Sequence, residues 1–406
     1  MSSKTVSFFS ILFLSLGSFL APETVQAKLL PGDSLAVRVI LDTNNLKTLP
    51  IDSVADTLHD RIIALHLSGR GIRLLPSHIA ALSKLRILAL NHNALELIPS
   101  EIGTLESLTD LRLISNRLTS LPQSIAGLSS LNMLFLDSNQ ITALPDSLTA
   151  LESLMVFSIR FNRLKKLPDS IGKLRALKFL YVDGNRLTGL PASFDSLTLL
   201  EVLSLKSNRI VRLTDSSLHK QYLRILDLSN NLLGSLPDVS GFPELTDLYA
   251  AGNKISTLPA ALFQQKKLRW LRLDSNNIAV LPPEIAQMDG LQWLSVSGNR
   301  LAALPDSIGA LKQLKVLDCS DNALAELPRS IILVSGLTIL KLRNNRLTSL
   351  PDGIETLRAL PALRAAVTRP ALDLSGNRLC DPPQKIREWA DTLDPGWQSR
   401  QICPKR

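Results

Sequence analysis

The feature that constrains this chain most is a spacing. Asn93, Asn116, Asn139, Asn162, Asn185, Asn208 and Asn231 stand 23 residues apart; Asn253 follows after 22; Asn276, Asn299, Asn322 and Asn345 resume the interval of 23, and Asn377 closes the series after 32. An apolar triplet precedes each at fixed offsets, as in Leu108, Leu111 and Leu113 before Asn116, or Leu268, Leu271 and Leu273 before Asn276. A phrase such as "RLTSLPQSIAGL" (117–128) comes after it. One more copy, "IIALHLSGR", puts Arg70 in the asparagine position. A unit this short cannot bury its apolar side alone, so its copies must stack on one another. The 406 residues therefore read as one long array rather than as two or three ordinary domains.

The "LxxLxL" piece alternates in and out like a short strand. Stacked strands in a parallel sheet lie about 4.8 Å apart, so fourteen copies make an arc on the order of 65 Å. The asparagine falls at the turn after the strand, where an inward side chain can satisfy backbone groups that would otherwise be buried unpaired. Proline after each second-half leucine (Pro122, Pro145, Pro168) forbids a long helix and favours an extended or short 3₁₀ return.

Over residues 61–379 these copies, about 14 in number, resemble the leucine-rich repeat family, with its pattern L-x-x-L-x-L-x-x-N-x-L. The "LPxxIGxL" half resembles the 23-residue class found in bacterial secreted proteins and in plant or animal scaffold proteins. The resemblance implies an α/β solenoid: a right-handed, curved horseshoe with a parallel sheet on its concave face, capped at both ends. It also implies an exported, bacterial protein that recognises a ligand and catalyses nothing.

Both ends read differently from the array. Lys4, the apolar run Phe8 to Ala21 and the small residues of Val25-Gln26-Ala27 read as a signal peptide over residues 1–27, cut after Ala27, with no lipid-anchoring cysteine behind it. No later stretch has the length of a membrane span. Residues 28–60 read as an N-terminal cap: a helix with Asp33 or Ser34 as N-cap, Leu35, Val39 and Ile40 on one face, and a stop at Asn44–Asn45. The alternative is a degenerate repeat with Asn45 in the asparagine role. Residues 380–406 read as a C-terminal cap. "PQKIREWADTL" is an amphipathic helix with Ile386, Trp389 and Leu393 on one face, bracketed by Cys380 and Cys403. Export permits a disulfide between them, worth roughly 3 kcal/mol. The unit resembles the C-terminal cap of exported leucine-rich repeat proteins, with two cysteines where the animal cap has four. Cys319 stands at an inward position and reads as a buried hydrophobe. The nine surplus residues before Asn377, within 355–374, read as a loop or helical bulge on the return side.

No catalytic constellation appears. His59, His66, His78, His92 and His219 show no metal-ligand spacing, although His66 and His92 fall in neighbouring copies. No phosphate loop, G-x-S-x-G or H-E-x-x-H occurs. The expectation is no enzyme, no cofactor, no metal and no nucleic acid.

What remains is surface. Residues six, four and two before each asparagine should face the concave side. Six of the eighteen Phe, Tyr and Trp residues fill such slots: Phe135, Phe179, Tyr181, Tyr249, Trp270 and Trp293. With Arg272 they have the composition of a binding hot spot, and they form the candidate site. A second stripe directly follows the asparagines: Arg117, Arg163, Arg186, Arg209, Lys254, Arg300, Arg346 and Arg378. With a formal charge of +9, it suits either a solvated rim or an anionic partner. A protein partner on the concave face is the leading expectation; a glycan or anionic envelope polymer is the alternative.

Overall fold

The computed structural model describes residues 29–213, 220–360 and 371–403. Fifteen strands form one sheet in strict sequence order, from β1 (Ala55–Leu58) and β2 (Arg61–His66), through twelve three-residue strands between β3 (Ile87–Ala89) and β14 (Ile339–Lys341), to β15 (Leu372–Asp373). From β2 onward every neighbouring pair is parallel, and the register repeats without slippage. Leu248 of β10 (Asp247–Tyr249) lies opposite Leu271 of β11 (Trp270–Arg272), which lies opposite Leu294 of β12 (Trp293–Ser295). Inward leucines such as Leu108, Leu111, Leu113 and Leu118 are wholly buried and belong to one core that runs the length of the stack. The leucine-rich repeat solenoid expected from the sequence is the fold observed.

The asparagines tie each copy to the one before it. Asn116 Nδ2 donates to the carbonyls of Leu113 in its own copy (3.1 Å) and of Leu90 in the preceding one (2.9 Å). Its Oδ1 accepts from Leu95 N at 3.0 Å. Asn276 repeats the pattern with Leu273 O, Ala250 O and Ile255 N, all at 3.0 Å. These groups are buried, and each left unpaired would cost about 1–3 kcal/mol. The returns are short 3₁₀ turns after an extended proline, as at Gln123–Gly127 behind Pro122. The first helix among the described residues is α1 (Pro31–Thr43), and one return is a single α-turn, α2 (Ala260–Phe263). The returns touch: a Cβ on Gly127 would fall 2.1 Å from the carbonyl oxygen of Gly103, so the glycines of these returns mark contact between neighbouring backbones.

The N-terminal end departs from expectation in two ways. Helix α1 begins at Pro31, earlier than an Asp33 or Ser34 cap would allow, because proline suits the first helical position. Its phase shifts accordingly. Ala36, Val37, Ile40 and Leu41 are buried, while Leu35 is exposed and Val39 only half-buried. Asp33 is buried and pinned by Arg61 Nε (3.1 Å) and Ile62 N (2.8 Å). The second departure is β1, which pairs antiparallel with β2 through a register shift after Asp56. Asn44, rather than Asn45, closes the helix end, accepting from Arg73 N and Leu74 N.

At the other end Cys380 and Cys403 form a disulfide, with Cα atoms 5.6 Å apart. Helix α3 (Gln384–Leu393) buries Ile386, Ala390 and Leu393, with Trp389 partly covered, and Trp397 beyond it is fully buried. Gln401 then does what the next asparagine would do. Its Nε2 donates to Leu374 O (3.0 Å) and its Oε1 accepts from Leu379 N (3.3 Å). Cys319 is buried and free, and burial pushes its thiol pKa far up. The predicted signal peptide, residues 1–27, and the middle of the 355–374 surplus lie outside the described residues.

Candidate functional site

Register places each predicted site residue on a strand. Phe135 ends β5 (Met133–Phe135), Phe179 and Tyr181 bound β7 (Phe179–Tyr181), and Tyr249, Trp270, Arg272 and Trp293 lie on β10, β11 and β12. They form two groups, because β8 (Val202–Ser204) and β9 (Ile225–Asp227) intervene with no aromatic side chain. Phe135 is not an exposed anchor: only 8% of it is accessible. A small cavity of about 270 Å³ opens beside it, lined also by Arg112, Asp137, Arg160 and Phe161. Arg112 and Arg160 are held against Asp110 and Asp137, and the Arg160 guanidinium lies 5.6 Å from the Tyr181 ring centre.

The second group is contiguous. Trp270 lies opposite Trp293, with ring centroids 4.8 Å apart and planes 15° from parallel. That separation matches the strand spacing of about 4.8 Å, so neighbouring strands bring the two rings into contact. One face of each indole is turned on the other. The Trp293 indole nitrogen is buried with no acceptor among the described residues. Arg272, exposed, donates from Nε to Asp274 Oδ2 at 3.1 Å. Tyr249 donates its hydroxyl to Asp247 Oδ1 at 3.0 Å. Burial, with Asp247 beside it, pushes the phenol pKa up and keeps it a neutral donor.

A brace across the concave face was not anticipated. Asp137, Asp183 and Asp274 each accept from the hydroxyl of a serine 21 residues later: Ser158, Ser204 and Ser295. Each also accepts a backbone N–H of the following copy: Arg160, Lys206 and Ser297. These carboxylates are structural cross-links between repeats. Burial raises the Asp183 pKa to about 6, opposed by the Ser204 hydroxyl and helped by Asp227. The signal was in the chain, as a recurring Asp…Ser interval of 21, but it is hidden under the louder period of 23.

Phe161 was also missed, because it occupies the position directly before an asparagine. That position is left-handed in copy after copy: Ser115 φ 56°, Ser138 57°, Ser207 56°, Asn344 52°. Serine, asparagine and glycine dominate it, as sterics require. Phe161 adopts φ 54° there with 60% of its surface exposed. A larger cleft, about 710 Å³, lies outside the start of the strands among Glu201, Tyr222, Arg224, Glu244, Lys267 and Arg269, where opposite charges alternate. His66 pairs with Asp56 (2.9 Å) rather than with His92. Among the described residues no three His, Cys, Asp or Glu side chains are placed to hold a metal.

Family comparison agrees with this geometry. The family model described as "Leucine rich repeat" matches residues 83–141 and 198–255, and "Leucine-rich repeat region" matches 133–217 and 291–374. Together they span more than half of the chain. The chain belongs to the leucine-rich repeat family. A leucine-rich repeat protein of Leptospira interrogans is 31% identical over 84% of this chain and 95% of its own, with a TM-score of 0.64. The plant peptide hormone receptor RGFR1, solved in complex with RGF2, is 29% identical over 74% of this chain, with a TM-score of 0.61. This chain spans only 53% of that receptor. An internalin of Listeria monocytogenes, at 22% identity and a TM-score of 0.63, shares the repeat fold over 83% of this chain and 97% of its own. No curated protein matches by sequence. Among the described residues no helix is long and apolar enough to cross a membrane.

Proposed function

We propose that this leucine-rich repeat protein is an exported, non-catalytic recognition scaffold that binds a protein or peptide through Tyr249, Trp270, Arg272 and Trp293. The observation that carries the reading is the paired indole stack at adjacent positions of β11 and β12. Large rigid aromatics beside an arginine are what protein-binding hot spots are made of. The stack bears on the alternative: it takes one face of each indole and leaves less flat aromatic surface for a sugar ring than two separate tryptophans would. The receptor RGFR1 was solved in complex with RGF2, which supports ligand recognition by a related solenoid. The division of the chain into a leader ending at Ala27, an N-terminal cap, the array and a C-terminal cap from Cys380 belongs to the same proposal. The test is comparative capture. Residues 28–406 and the Trp270→Ala variant are immobilised side by side and challenged with secreted and envelope protein extracts. The reading expects proteins retained by the first and lost by the second. Equal retention, or none by either, defeats it.

A further inference from the structure

The concave arginines and the rim cations differ in one respect. Arg112, Arg160 and Arg272 each lie against an aspartate. The eight cations that directly follow an asparagine are all exposed. No side-chain hydrogen bond or ion pair to another described residue engages any of them, as it does Arg61, Arg387 and Arg400 elsewhere. Their backbones are nonetheless fixed in common. Arg117 N donates to Leu95 O, Arg163 N to Ile141 O, Arg186 N to Leu164 O and Arg209 N to Leu187 O, all at 2.8–2.9 Å, and the other four make the same bond. The next residue of each, such as Leu164 or Leu187, is buried. With the backbone tied on one side and its neighbour drawn inward, every one of these side chains must leave the same lateral face.

The face is also depleted of opposite charge. In the five positions after the thirteen asparagines the only carboxylates are Glu96, Glu326 and Asp381, against the eight cations plus Lys165, Lys166 and Arg212. The density peaks where three consecutive copies carry Arg163, Lys165, Lys166, Arg186, Arg209 and Arg212; of these Lys166 is paired, with Asp169 just beyond those positions at 3.2 Å. At about 4.8 Å per copy, successive rungs fall roughly 5 or 10 Å apart along a curved track on the order of 50 Å long.

We propose that this rim is a second binding surface, separate from the concave patch, and that it holds a flexible acidic polysaccharide whose sulfate or carboxylate groups recur along the chain. A row of same-sign charges on a rigid support concentrates a counter-charged polymer and releases its bound ions. Duplex nucleic acid is too stiff to follow an arc at this scale, since its persistence length is about 150 base pairs. Single-stranded nucleic acid needs successive aromatics on which bases stack, and Phe161 is the one aromatic beside the dense segment.

Heparin dodecasaccharide is the probe, titrated into residues 28–406 by calorimetry at several salt concentrations. The triple variant Arg163→Gln, Arg186→Gln, Arg209→Gln should weaken binding about tenfold or more at 100 mM salt and lower the salt slope by roughly 2. The matching Arg→Lys triple, which keeps the charge, should restore most of it. A control triple of exposed cations away from the rim, unpaired among the described residues (Arg86→Gln, Lys315→Gln, Arg329→Gln), should change it less than twofold. Thermal melting verifies that all variants fold. The proposal is overturned if heparin does not bind, if both glutamine triples lose affinity equally, or if a 20-base-pair duplex binds as tightly as heparin and loses affinity in the same triple.

Discussion

The ring of Phe161 rests on the bare backbone of Gly184: a Cβ at Gly184 would sit 2.5 Å from Cδ1 of that ring. Gly184 is the same position one copy later, and it is left-handed too, at φ 65°. One repeat thus carries a bulky side chain in a conformation that sterics disfavour, and the next gives up its side chain to make room.

That arrangement predicts opposite responses to two substitutions. Phe161→Asn keeps the left-handed backbone with a residue that tolerates it, as Asn230 and Asn344 already do. It should raise stability by about 1 kcal/mol in a denaturant melt. Gly184→Ala should lower it by more than about 1 kcal/mol, through both the clash and the strained φ. A destabilised Phe161→Asn protein would mean that the ring's packing outweighs its strain.

The indole pair can be followed without a ligand. Two parallel indoles 4.8 Å apart couple their transitions, so near-ultraviolet circular dichroism should show a paired band that vanishes equally in Trp270→Ala and Trp293→Ala. Each variant should lose about 1 kcal/mol, the usual worth of an aromatic pair beyond its buried area, and remain folded. Trp270→Ala should weaken capture of the protein partner roughly 30-fold, as an anchor of 2 kcal/mol does. Unfolding of both variants would place the rings in the core and defeat the concave site.

Asp183 supplies a pH test. Its folded pKa, raised by burial to about 6, lies above its ordinary value in the unfolded chain. Ionisation therefore costs the folded state more than the unfolded one. The cost is present in full above pH 6 and is relieved as pH falls from 6 towards 4. Asp227 is shifted upward as well, also mainly by burial. Asp183→Asn should be more stable than wild type at pH 7, by on the order of 2 kcal/mol. The gap should close near pH 4. A constant difference across that range would show that Asp183 does not titrate there.

Much of this was legible before any coordinates, and the reason is physical. A strand three residues long whose copies recur every 23 admits one register, so the concave slots of Trp270 and Trp293 could be counted from Asn276 and Asn299. Side-chain partnerships could not. That Phe135 is covered, that Arg272 leans on Asp274, and that Asp137 reaches Ser158 all depend on what a neighbouring copy places at one slot. Those choices carry no period. The ends were partly legible for the same reason: once the period stops, only helix signals remain. At Pro31 those signals put the phase of α1 wrong by enough to exchange Leu35 for Ala36.

The end seal can be probed directly. Gln401→Ala would leave Leu379 N and Leu374 O without their partner beneath the cap, a loss of about 1–3 kcal/mol. Reducing the Cys380–Cys403 bond should cost roughly 3 kcal/mol by loop entropy, and the two losses should overlap, since the disulfide holds Gln401 in reach. Full additivity in a double perturbation would separate the two devices. In denaturant, thiol counting on the oxidised protein should find Cys319 alone.

Gln401 also says something about how such a chain can change its length. It recognises only the last copy, through two backbone groups that every copy possesses in the same place. Nothing in that recognition registers how many copies came before. Removing one whole period from the interior, or duplicating one, leaves each asparagine with a predecessor to grip and leaves the glutamine with an identical terminus to close. Loss of a fraction of a period does not. The reach of the surface is thus an editable quantity in units of 23 residues, and the terminal glutamine works as punctuation that reads the same after a sentence of any length.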